Sequence, residues 1–216
     1  MEILVIGSEQ NLLECQQKFG ENHLYKLVEN NLDTEALLKG IDVVFDFLIP
    51  DQPKDIKIYN DFAGVAFLDS SKTTLNVLLS ENNGKVIFFG FCGIPTFLNR
   101  KILEITRVDS RDQLKLQETC SHLNTDFAIV KDQVGMVTPR IICMIINEAY
   151  FAIKENIASR ADIDLAMKLG TNYPFGPFEW AARIGIKNVY ELLKAVYENA
   201  KDERYKICEL LERESK

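Results

Sequence analysis

The stretch "AMKLGTNYPFGPFEW", residues 166–180, holds two prolines, two glycines and four aromatic residues between two helical patterns. Pro174 and Pro177 fix φ, and Gly170 and Gly176 permit positive φ, so the composition predicts a tight, rigid helix-to-helix connection. Tyr173, Phe175, Phe178 and Trp180 supply the apolar area to pack that turn onto neighbouring helices. Towards the N-terminus, Ser159-x-x-Asp162 reads as a capping-box start for "RADIDLAMKL", with Gly170 as its end. Towards the C-terminus, Pro177 stands where a new helix begins. "NVYELLKAVYENA" and "DERYKICELLERES" add two more helices with apolar residues at i, i+3 and i+4. Upstream, residues 136–157 read as one long helix, apolar nearly all round, that needs cover on most faces from its own domain or from a second subunit. Pro139 is compatible with that helix because it falls in the first turn.

Before Val134 the pattern is different. Short β-rich runs at 2–7, 23–29, 42–49, 65–71, 85–92, 102–109 and 127–132 alternate with helical ones such as "EQNLLECQQKF" and "RDQLKLQETCSHL". Near-continuous apolar strands separated by helices predict a mainly parallel α/β sheet. The expected fold class is α/β: a Rossmann-like sheet domain over 1–132, followed by an all-α domain over 133–216.

With 47% hydrophobic and 26% charged residues the chain is of globular type, and its formal charge is −7, from 25 basic and 32 acidic side chains. That balance, with no basic run, speaks against nucleic acid and anionic membranes as partners. "MEILVIG" starts as a strand without a basic leader, and no apolar run is long enough to span a bilayer, so a cytoplasmic protein is expected. Cys15, Cys92, Cys120, Cys143 and Cys208 are scattered and without a C-x-x-C pair, which predicts neither disulfides nor a metal site.

The order "NEA", "DIDLAMKLG-x-x-YPFGPFE", "IG", "DERY" across about residues 126–206 resembles the C-terminal helical domain of the 3-hydroxyacyl-CoA dehydrogenases, whose signature runs close to "NEA…DIDxAMxxGxGYPMGPFE". The resemblance implies an NAD-dependent oxidation of the 3-hydroxyl of an acyl-CoA in fatty-acid metabolism, an NAD-binding Rossmann half, and a homodimer formed through the helical half.

The chain departs from that family where the chemistry lies. The first loop, G-x-G-x-x-G in the family, is "GSEQNL": Gly7 is kept, while Glu9 and Leu12 replace the second and third glycines. A glutamate there adds bulk and negative charge facing a pyrophosphate, and a leucine is expected to disturb close helix–strand packing. Glu29, at the end of the second strand, is placed to bind ribose hydroxyls or to remain a solvated carboxylate. Only "NNLDTEALLKGI" separates it from the third strand, where the family inserts a long helical excursion that supports CoA. The third strand carries Asp46 at the family's acidic position. Of the catalytic positions the resemblance implies, the serine is Thr73, the histidine is Cys92, the glutamate twelve residues on is Glu104, and the asparagine is Pro139. A His–Glu pair suits proton transfer, because the carboxylate stabilises imidazolium; a carboxylate beside a thiol disfavours thiolate instead.

The expected function is a family scaffold with hydride transfer lost or severely impaired, able to hold an acyl-CoA-like ligand or to act on a partner. An active dehydrogenase with unusual residues is the alternative. Cys92 as a nucleophile and a purely structural dimer are further readings; the nucleophile needs a cationic or histidine neighbour, and none is visible nearby.

Overall fold

The structure is a computed structural model and describes residues 1–30, 34–80 and 86–216. Part of the short connection after Glu29 (31–33) and the first residue of the run 85–92 lie outside the described residues. The chain forms two compact units, Met1–Met136 and Val137–Lys216.

In the first unit, strands β1 (Glu2–Ile6), β2 (Leu24–Val28), β3 (Val43–Asp46), β4 (Val65–Asp69) and β5 (Ile87–Phe91) form one parallel sheet in the order β2-β1-β3-β4-β5. Strands β6 (Ile102–Ile105) and β7 (Asp126–Ile129) pair in parallel, and an antiparallel Gly90–Thr106 bridge joins them to β5. Alternate strand residues supply two cores. Ile3, Val5, Phe45, Phe67 and Phe89 face one way, and Leu4, Ile6, Val44, Ala66 and Leu68 the other. A sheet covered on both faces explains why its central strands read as unbroken apolar runs. The helices between strands are α1 (Glu9–Phe19), α2 (Thr34–Leu37), α3 (Leu75–Leu78) and α4 (Gln113–His122). Phe19 of α1 stacks on Phe45, whose ring in turn stacks on Phe67, with centroids 4.9 and 4.8 Å apart.

β1 lies next to the edge strand; the chain steps outward to β2 and then back past β1 to β3, the central strand. The order therefore reverses between β1 and β3, and ligands of such sheets bind at the carboxyl ends of the strands beside that switch point. β3 is shorter than the run 42–49 suggested. The Asp46 carboxylate accepts the N–H groups of Leu48 and Ile49, both at 2.9 Å, and so turns the chain off the sheet.

The second unit contains α5 (Thr138–Lys154), α6 (Arg160–Thr171), α7 (Pro177–Ile184), α8 (Ile186–Ala200) and α9 (Glu209–Glu214). Three expectations need correction here. First, the last helix does not start at "DERY": Glu203–Tyr205 is a 3-10 turn, and Tyr205 and Cys208 are buried ahead of α9. Second, α5 is shorter than the run 136–157 suggested, and a narrow stripe of it stays open within this chain. Ile142, Cys143, Ile146, Asn147 and Tyr150 are buried, while Ile141 is 53% exposed.

Third, neither glycine of the opening stretch uses positive φ. α6 runs through Gly170, and its left-handed cap is Asn172 with φ 55°. Gly176 has φ −75° and is required for space, because a Cβ there would lie 2.2 Å from Asp164 Oδ1. That carboxylate accepts the N–H groups of Phe178 (2.8 Å) and Glu179 (3.2 Å), capping α7 from the neighbouring helix. Glu179 reaches back to the N–H of Gly176 at 3.0 Å and pairs with Lys168 at 2.5 Å. The half-buried Trp180 packs against Tyr173 and Phe175, and Arg183 lies 3.9 Å above the Phe175 ring. Asn147 of the "NEA" run is also structural: its side chain donates to Lys206 C=O and accepts from Cys208 N–H, both at 2.9 Å.

Candidate functional site

The carboxyl edge of the sheet is built by the turns that follow β1, β3, β4 and β5. After β1, Ser8 caps α1 and forms a closed pair with Asn11. Ser8 N–H donates to Asn11 Oδ1 at 2.9 Å, and Asn11 N–H points back to Ser8 Oγ at 3.4 Å. A Cβ on Gly7 would lie 2.7 Å from Asn11 Oδ1, so the space above this glycine is filled by the chain's own side chain. Gly7 N–H donates to Val28 C=O at 2.9 Å, which brings Glu29 to the neighbouring strand end, where it is exposed. Glu9 is exposed in the first turn of α1. Leu12 does not disturb α1: it is half-buried and packs on the core beneath.

After β3, Asp46 is completely buried, and Tyr59 donates its hydroxyl to the second carboxylate oxygen at 2.8 Å. Burial pushes the Asp46 carboxyl up to about 6, against the opposing pull of its hydrogen bonds. At this position the acid closes its own loop. After β4, Thr73 is half-buried, and the next residue, Thr74, caps α3 through Val77 N–H. Asp132 accepts the N–H groups of Leu75 and Asn76 at 2.8 and 2.9 Å.

Cys92 follows β5 and is buried, and Glu104 is half-buried on β6. The isolated antiparallel Gly90–Thr106 bridge lies two residues before Cys92 and two residues after Glu104 in the chain. The loop of Thr73 and the loop of Cys92 are brought together by a residue that sequence reasoning missed. Asp69 Oδ1 accepts the N–H of Ser71 at 2.9 Å and that of Gly93 at 3.0 Å. Burial raises the Asp69 carboxyl above its ordinary range. The signal available in the sequence was an acid ending the apolar strand "VAFLD" immediately before two serines. Glu14 on α1 was missed as well. It is buried, accepts Thr96 N–H at 3.1 Å, and is likewise raised by burial. Pro139 lies buried in the first turn of α5 in the second unit and offers no side-chain donor. Among the described residues no group of three or more His, Cys, Asp or Glu side chains could hold a metal ion, and no helix is long and apolar enough to cross a membrane.

Comparison with known proteins places these features. Residues 135–216 match the model of the 3-hydroxyacyl-CoA dehydrogenase C-terminal domain. Over 82 residues the chain is 44% identical to 3-hydroxyadipyl-CoA dehydrogenase of Escherichia coli, covering 38% of this chain and 17% of that protein. It is 25% identical over 183 residues to 3-hydroxybutyryl-CoA dehydrogenase of Bradyrhizobium diazoefficiens, covering 81% of this chain and 62% of the relative. The chain thus spans less than two thirds of the length of either relative. Mitochondrial hydroxyacyl-coenzyme A dehydrogenase of Mus musculus is 31% identical over 215 residues, covering 89% of this chain and 67% of that one. The crystal structure of (S)-3-hydroxybutyryl-CoA dehydrogenase from Ralstonia eutropha shares the fold, with TM-score 0.78 at 19% identity over 98% of this chain and 92% of that one. A Rossmann-like parallel sheet, a helical domain that matches the family model, and a relative 31% identical over 67% of its length make the chain a member of the 3-hydroxyacyl-CoA dehydrogenase family.

Proposed function

We propose that this family member belongs to acyl-CoA metabolism and keeps the scaffold while hydride transfer is lost or severely impaired. The observation that carries the reading is the closed turn after β1. A dinucleotide pyrophosphate needs free N–H groups at the helix start and a bare glycine surface. Here Ser8 N–H is taken by Asn11 Oδ1, the surface of Gly7 is covered by the same side chain, and Glu9 adds negative charge. NAD, the cofactor implied by the family, does not fit this turn, and we route no chemistry through it. Glu29 and Gly7 remain as the two cofactor-side positions of the family without forming a phosphate cradle.

The proton-handling positions support the same reading. Cys92 is a thiol where the family has an imidazole. A thiol lacks the imidazole's ability to take and return a proton near neutrality. Thr73 keeps a hydroxyl, and Pro139 replaces an asparagine with a residue that has no side-chain donor. Titration with NADH followed by addition of acetoacetyl-CoA tests the reading: no NADH consumption is expected, and steady turnover would contradict it.

Residues 1–132 act in this reading as a shortened, NAD-binding-type domain and 133–216 as the dimerisation and substrate-side domain of a cytoplasmic homodimer. Support for the dimer comes from Val137, Ile141, Leu165 and Leu169, which are 46 to 78% exposed on the helices of the second unit. Exposed apolar side chains mark an interaction site when they form one contiguous patch. Sedimentation equilibrium should find a dimer, and Ile141→Glu should weaken it at least about tenfold, the effect of roughly 1.4 kcal/mol; a wild-type monomer at high concentration would contradict this. The ligand class that fits the family's substrate side is an acyl-CoA-like molecule.

A further inference from the structure

Thr96, in the loop after β5, has φ 77° and is the one β-branched residue with positive φ among the described residues. For a branched side chain that is a strained conformation. Phe97 N–H donates to Ile94 C=O at 3.2 Å, which closes a turn with Pro95 and Thr96 at its centre. Glycine is the usual residue where the third place of such a turn has positive φ. Ile94 and Phe97, on either side, are buried. The N–H of the strained residue is taken by Glu14 Oε1 at 3.1 Å. Glu14 lies in the middle of α1 and is 6% exposed, and its second oxygen is buried without a hydrogen-bond partner among the described residues. A strained residue and an incompletely satisfied buried acid each cost stability, and here they meet in one hydrogen bond. The same helix holds the rest of the segment: Asn99 donates to Gln17 Oε1 at 3.0 Å, and Lys18 Nζ donates to the carbonyls of Arg100 and Lys101. Glu14, Gln17 and Lys18 have the i, i+3, i+4 spacing of one helix face, so α1 grips residues 96–101 along its length.

We propose that Glu14 is a positioning residue for Cys92: it holds Thr96 in a conformation the loop would otherwise leave, and so fixes residues 92–97 with the Cys92 thiol buried. Cys92 is 3% exposed. The loop is anchored on both sides of the turn, by Gly93 N–H on Asp69 at 3.0 Å and by Asn99 on Gln17. Between these anchors the Glu14 hydrogen bond acts directly on the strained residue. Asn11, which closes the turn after β1, lies three residues before Glu14, so α1 connects two of the loops that build the carboxyl edge. A thiol held in this way is shielded from reagents, whatever its ionisation. The assignment holds whether or not nicotinamide binding has been lost.

The five cysteines are all buried, and the distant ones serve as internal controls. Each is alkylated with iodoacetamide at one fixed pH and read from its own peptide by mass spectrometry. Glu14→Ala removes the acceptor and should raise the Cys92 rate at least about tenfold. Cys120, Cys143 and Cys208 should stay within about twofold of wild type. Glu14→Gln keeps an acceptor for Thr96 N–H and should hold the Cys92 rate within about threefold of wild type. Thr96→Gly adopts positive φ without strain, and adding it to Glu14→Ala should slow Cys92 at least about threefold, because the relief outweighs the added freedom of glycine. The proposal is overturned if Glu14→Ala leaves the Cys92 rate unchanged, if all the cysteines speed up together, if Glu14→Gln behaves like Glu14→Ala, or if Thr96→Gly slows nothing. If Glu14→Ala does not fold, Thr96→Gly in the otherwise wild-type chain decides: slower alkylation of Cys92 supports the assignment, and an equal or faster rate refutes it.

Discussion

Gly176→Ala should destabilise the helical unit by about 3 kcal/mol, with the loss read from urea denaturation followed by circular dichroism. The backbone at this position is ordinary, with φ −75°, so alanine suffers no conformational strain. The cost arises from one clash. The added methyl would stand 2.2 Å from Asp164 Oδ1 and displace the carboxylate that caps Phe178 and Glu179 N–H. Asp164→Ala removes the same two hydrogen bonds and should cost about 2 kcal/mol. The two changes share only part of their cost: Asp164→Ala keeps the Cβ, which lies 2.4 Å from the position of the added methyl, so the double variant should be less stable than Asp164→Ala alone but by less than the sum of the two. A Gly176→Ala variant within about 0.5 kcal/mol of wild type would show that Asp164 does not occupy the place described.

The first unit should grow more stable as the pH falls from 8 towards 5, where many proteins only lose stability. Asp46, Asp69 and Glu14 are all buried, and burial raises each carboxyl above its ordinary value. A carboxyl raised in the folded state contributes stability that is fully present below its unfolded value, near 3.9 for aspartate, and lost as the pH rises through its folded value. For Asp46 the folded value is about 6, so the window runs from about 4 to 6. The gain on protonation is on the order of 2 kcal/mol for this residue alone. Denaturant midpoints at pH 5 and pH 8 check it, and Asp46→Asn should remove most of the difference that Asp46 causes. A midpoint that falls steadily below pH 7 would contradict the account.

Much of this structure was legible in the residues because strands and helices follow their apolar period. The seven strand positions, the start of α7 at Pro177 and the Ser159 cap all obey local rules. What stayed hidden depends on a partner distant in sequence. Gly176 is expected from its sequence to serve a positive φ, yet it is small because Asp164, twelve residues earlier, needs its place. Asp69 looked like the end of a strand, but its role depends on Gly93, 24 residues later. Leu12 looked disruptive, but the core beneath it has room for a side chain. The site positions are a mixed case. Cys92 and Glu104 could be located only through the family resemblance, whereas the antiparallel Gly90–Thr106 bridge near them is a feature of the fold. The closing of the first turn by Asn11 is present in the letters as Ser8-x-x-Asn11, a capping spacing.

The measurement that bears most directly on the central claim is a fluorescence titration of the purified protein with NADH. If Asn11 and Ser8 consume each other's hydrogen bonds and Glu9 repels the pyrophosphate, no saturation should appear up to millimolar cofactor. Saturable binding in the micromolar range would mean that the turn opens to take a dinucleotide, and that the scaffold has kept the function its sequence has been read as losing.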